Sequence, residues 1–137
     1  MALVDNLIYM ITPATSSVPA DSILPLSTIA RRTGRILKNN SDSIVLGAPG
    51  YYAVSVNVTF TAPAAGDVII NVQKASTNIP GLTASCTVTT ADTEVHTLTI
   101  TGIIRTMPFE CASILSVINS GVAINTTNIS VAVEYLG

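Results

Sequence analysis

His96 is the single histidine of this 137-residue chain, and Glu94, two positions before it, makes the nearest approach in the sequence to an acid–base pair. One His per chain excludes metal sites built on two or more imidazoles from the same chain. Three copies of His96 could meet on a symmetry axis, but a strand-surface His bonded locally is the preferred reading. Nucleophilic catalysis would need His96 beside a Ser or Cys. Cys86 and Cys111 are the available thiols, and nothing local marks a nucleophile elbow. Asp92 and Glu94 share a face only if their segment is already extended, and both read as solvated loop charges. Gly47 and Gly50 serve turns rather than a phosphate loop. No cofactor, no metal and no enzymatic activity are expected.

The segments that carry these residues read as strands. Residues Gly50-Tyr51-Tyr52-Ala53-Val54-Ser55-Val56-Asn57-Val58-Thr59-Phe60-Thr61-Ala62 alternate, with Tyr52, Val54, Val56, Val58 and Phe60 on one face and Tyr51, Ala53, Ser55, Asn57, Thr59 and Thr61 on the other. That is the period of a β-strand with one face in a core and the other on a wetter surface or a subunit contact. Ser43 to Leu46 and Val68 to Lys74 are further strands. Asn78-Ile79-Pro80-Gly81 reads as a turn, followed by extended segments over Thr83 to Thr90, Val95 to Ile104 and Ala112 to Ile118. In the last strand, Asn128 to Tyr135, the residues Ile129, Val131, Val133 and Tyr135 point inward. The result is an all-β chain whose even strand spacing, without an amphipathic helix, predicts an antiparallel jelly-roll sandwich of about eight to ten strands.

Charge is scarce. Charged residues make up 10% of the chain and hydrophobic residues 48%, against about 25% charged in an average soluble protein. No stretch resembles a membrane-spanning helix, and the few aromatics leave nothing for the girdles of a membrane barrel. Burial between subunits is the remaining explanation, so a homo-oligomer is expected. The net charge of −2 is too small for steering towards nucleic acid or membranes. Arg31, Arg32, Arg35 and Lys38 are concentrated between Ile23 and Lys38, which reads as a solvated loop or a set of interface ion pairs. Cys86 and Cys111 are expected as buried free thiols in preference to one bridge.

Residues 1–22 stand apart from the jelly-roll domain of 23–137. Leu3, Val4, Leu7, Ile8, Met10 and Ile11 form an apolar cluster, and a link with Pro13 and Pro19 follows. The cluster is expected either to anchor the protein to a neighbour, as an extended arm, or to pack on its own body. No signal peptide is expected, since the first residues carry no Lys or Arg and Asp5, Asn6 and Pro13 interrupt the apolar run.

The strand from Gly50 to Phe60 resembles the Gly-x-Tyr-x-(apolar)-x-(apolar) strand of the tumour-necrosis-factor and complement-globular-head superfamily. The passage from Val68 to Gly81, and the closing strand Ile129 to Tyr135, are similar to its bacterial and bacteriophage branch, which includes spore-surface collagen-like heads and phage virion proteins. The resemblance covers residues 36–137. It implies a compact homotrimer with apolar strands buried along a threefold axis, with Tyr52, Val54, Val56, Val58, Phe60, Ile129, Val131, Val133 and Tyr135 as the core and trimer strands. The collagen-like stalk and the acidic calcium cluster of some members are missing. The resulting expectation is a structural protein on the surface of a phage virion: a decoration, head-fibre or tail-tip knob held to other virion proteins by its arm. The alternative is a module on a phage or spore surface that binds a cell-surface glycan or protein through loops near Ala64 to Asp67, Ala91 to Glu94 and Met107 to Glu110.

Overall fold

The computed structural model describes residues 7–13, 15–33, 36–39, 42–46, 49–75, 77–107 and 113–136. Two six-stranded antiparallel sheets pack face to face as a jelly roll, with no helix among the described residues. Sheet A runs β10 (His96–Thr106), β7 (Gly50–Thr61), β12 (Ile124–Tyr135), β1 (Leu7–Thr12), β4 (Thr28–Thr33), and β2 (Ser16–Val18) also pairs with β12. Sheet B runs β5 (Leu37–Asn39), β6 (Ser43–Leu46), β11 (Ser113–Asn119), β8 (Gly66–Lys74), β9 (Thr77–Val88), and β3 (Ser22–Ile23) also pairs with β11.

The alternation of β7 sets the inner face of sheet A. Tyr52, Val54, Val56, Val58 and Phe60 are each at most 2% exposed, and Ile129, Val131 and Val133 of β12 are fully buried beside them. They pack on Val68, Ile70, Val72, Leu115 and Val117 of sheet B in one core. Each such side chain contributes about 1.5–3 kcal/mol on leaving water. These eight residues are therefore spent inside a single chain and leave nothing for an axis between subunits. Tyr135 is only half-buried, tilted against Tyr52 at 5.0 Å between ring centroids, and its hydroxyl donates to the Pro49 carbonyl at 2.6 Å.

The described part of the expected arm belongs to this body. Leu7, Ile8, Met10 and Ile11 lie in β1, between β12 and β4, in register with Glu134, Val133, Val131 and Ser130. Ile8 and Met10 are fully buried. Their spacing of two is a strand period, and burying that stripe outweighs leaving it on a leash. The two prolines end β1 and β2 instead of freeing them. The Thr12 hydroxyl donates to the Pro25 carbonyl at 2.7 Å and accepts from the Ser27 amide at 3.2 Å, while the Asn119 amide donates to the Pro19 carbonyl at 3.3 Å. β1 and β2 thus pair within sheet A, and Leu3 and Val4 lie outside the described residues.

Two further expectations change. Arg31 and Arg32 lie in strand β4, at the margin of sheet A, and not in a loop. The turn assigned to Asn78–Gly81 is strand: β9 begins at Thr77, and the reversal falls at Ala75, which has φ 51°. Pro80 cannot donate to a ladder, but β9 is an edge strand, where that donor is not needed. Gly81 sits there at φ 85°, a conformation that suits a residue without Cβ.

Candidate interaction face

Outward residues of sheet A can be read row by row from the strand register. One row holds Ile103, Ala53, Glu134, Leu7 and Thr33; the next holds Thr101, Ser55, Ala132, Tyr9 and Arg31; a third holds Thr99, Asn57, Ser130 and Ile11. Above them Arg105 pairs with Tyr51, its guanidinium 5.6 Å from the ring centroid. Across β7, β12 and β1 the single charged side chain is Glu134. Against that shortage, Ile103 is 61% exposed, Tyr51 46% and Tyr9 38%. Small side chains at Ala53, Ser55 and Ala132 leave a shallow depression of about 370 Å³, walled by Leu7, Ile103 and Glu134.

The face is graded along the strands. Its apolar end holds Ile103, Leu7 and Tyr51. The opposite end is a ladder of hydroxyl and amide groups: Thr59 and Thr97 share a hydrogen bond at 3.0 Å, and the Thr99 hydroxyl donates to the Asn57 carbonyl oxygen at 2.7 Å. Cross-strand pairs of this kind contribute a few tenths to about 1 kcal/mol each. Strand parity places Thr97, Thr99 and Thr101 on one side of β10. Extending that parity by two residues would have found Ile103 as an exposed apolar group. Tyr9 and Leu7 could not be found in this way, because their place depends on β1 joining the sheet.

The acid–base pair forms a different kind of structure. Glu94 Oε2 lies 2.6 Å from His96 Nε2 and accepts from the Thr89 amide at 3.1 Å, while its Oε1 accepts from the Thr89 hydroxyl at 2.7 Å. Hydrogen bonds from His96 and then from Thr89 hold the carboxyl at about 2, below its ordinary value of 4.5. The His96 ring stacks on Phe60 with centroids 6.0 Å apart. Glu94 is thus a clasp across the β9–β10 loop and not a freely solvated charge. Asp92, at φ 64°, is exposed, and its amide donates to the Ala62 carbonyl at 2.8 Å. Cys86 is a free thiol that burial, then Glu94 and Asp67, push up. An attacking thiolate needs the opposite shift. Cys111 lies outside the described residues, as does the connection after Met107. Among the described residues no group of three His, Cys, Asp or Glu side chains could hold a metal ion, and no helix is long and apolar enough to cross a membrane.

No protein-family model and no curated protein sequence matches the chain. Solved structures do. An Eiger TNF from S. frugiperda superposes with a TM-score of 0.74 at 11% identity, covering 96% of this chain and 94% of its own. PRD1 vertex protein P5 gives 0.67 at 16% identity, with 99% and 100% covered. The globular domain of the zebrafish complement 1qA protein gives 0.66 at 6% identity, with 93% and 94% covered. Likenesses this distant in sequence establish architecture: the chain has the jelly-roll fold of tumour necrosis factor, the complement globular heads and a phage virion protein.

Proposed function

We propose that this protein is a structural component of a bacteriophage particle, a homotrimeric jelly-roll knob displayed on the virion surface, with the outer face of sheet A as its subunit contact. One observation carries the reading. The central strands β7, β12 and β1 present outward apolar and small uncharged groups with one charge among them, Glu134. Ile103 and Tyr51, about half exposed in the single chain, are of the kind that subunit cores select. The trimer itself is what the superfamily resemblance implies. The likeness to PRD1 vertex protein P5 over 99% of the chain supports the virion assignment. A glycan- or protein-binding role would use the loops, and it can coexist with the knob.

Light scattering after size exclusion tests the assembly, with three times the chain mass of 14.2 kDa expected. A monomer would overturn the contact face. Labelling of purified virions with an antibody against the protein tests the location, and virions that carry none would overturn it.

A further inference from the structure

Four strands lie at the margins of the two sheets: β10 and β4 in sheet A, β9 and β5 in sheet B. β9 and β10 close on each other, with the Leu82 side chain set against Gly102, where no Cβ intervenes. β5 is only 3 residues long. β4 differs from all three. It has 6 residues, it pairs with β1 on one side, and every one of its side chains is exposed. Among the described residues such a margin leaves a row of backbone donors and acceptors open to a further strand.

The side chains indicate what that strand must be. Ile29 pairs with the fully buried Met10 and so points to the core side, yet it is 42% exposed, an apolar side chain left open under the margin. Arg31, opposite Tyr9, stands on the outer side. Arg32, opposite Ile8, is steadied by an Nε hydrogen bond to the Ile36 carbonyl at 3.1 Å. Among the described residues no acidic side chain pairs with either arginine. The register shifts between Tyr9 and Met10, leaving Ala30 as a bulge. A bulge and two like charges discourage one β4 from pairing with another. The same charges favour an acidic partner, and repulsion of the wrong strand is half of specificity.

We infer that β4 is the docking edge for a second protein, which adds an extended acidic segment to sheet A as a further strand. Main-chain hydrogen bonds would supply the pairing, the exposed Ile29 an apolar contact for one alternate side chain, and Arg31, on the outer side, the selection for carboxylates. This inference goes beyond the trimer reading, since the pairing runs in the plane of the sheet and not across its face.

The test is amide hydrogen exchange on the full chain with three capped eight-residue peptides. One alternates Val and Glu, one alternates Val and Lys, and one is the Val–Glu peptide with a central Pro. Slowed exchange confined to β4, with the first peptide alone, is expected. Arg31→Glu combined with Arg32→Glu should weaken that binding by about tenfold or more. Equal protection by the Lys or Pro peptide, protection by none, or protection in the free protein of the β4 amides that face away from β1 would each overturn the inference. Should the double variant fail to fold, Arg31→Gln alone is expected to lose affinity several-fold, and unchanged affinity would count against the docking edge. Solution mass, recorded in parallel, reports on the trimer separately.

Discussion

The outer faces of the two sheets differ in whether the single chain completes them. On sheet B, the Asn71 amide donates to the Ser120 hydroxyl at 2.7 Å, and its oxygen accepts from Thr83 at 2.6 Å. Thr87 donates to Asp67 at 2.8 Å and Gln73 to Asn78 at 2.8 Å. That surface answers its own polar groups and carries ions besides. Sheet A instead exposes Ile103, Tyr51 and Tyr9 around small residues, with its hydrogen bonds gathered at the threonine end. The same pleated backbone thus supports a surface finished in one chain and a surface left for covering. Alternation creates both faces, and only the choice of outward residues separates them.

The sharpest break of this contrast is to spoil the core that both faces share. Val56→Asp places a charge at a position 1% exposed, and a loss of about 4 kcal/mol or more is expected in urea unfolding. A folded, fully associated variant would refute the register. Next, Gly102→Val forces the Leu82 side chain to move where the sheet margins meet, with a loss of about 1–3 kcal/mol expected by thermal denaturation. Asn71→Ala removes two hydrogen bonds from the finished face. It should cost about 1–2 kcal/mol while leaving the solution mass unchanged.

Ala132→Arg does the reverse. It charges the centre of the unfinished face, where the stability of the single chain should move by no more than about 0.5 kcal/mol, and light scattering should show the proposed trimer falling to monomer. The smallest effect concerns acid. Because folding lowers the Glu94 pKa from 4.5 to about 2, its clasp is complete above 4.5 and is lost as pH falls towards 2. A pH series of melting temperatures should therefore fall less steeply in Glu94→Gln across that window.

Strand existence was legible wherever one face is buried. β7 and β12 announce themselves through Tyr52 to Phe60 and Ile129 to Val133, because period-two burial writes itself directly into residue type. The errors fell where a local signal competes with a tertiary one. Pro80-Gly81 has turn chemistry, yet it lies in an edge strand that tolerates both residues. Leu7 to Ile11 is too short to declare its partner, and β12, which completes its pairing, lies more than a hundred residues away. The outer face was half legible. Its threonines follow from parity, whereas the neighbourhood of Leu7, Glu134 and Ile103 requires knowing the order of strands.

That order also bears on how the protein is made. β1 leaves the ribosome more than a hundred residues before β12, yet β12 lies between β1 and β7 in the finished sheet. Until β12 emerges, the buried stripe of Ile8 and Met10 has β4 beside it but lacks the neighbour on its other flank. Completion of sheet A must therefore wait for β12. Pairing across such a sequence distance is slow. Over that interval the nascent protein carries Ile8 and Met10 without that flank, so its yield in a crowded cell should depend on chaperones that hold β1.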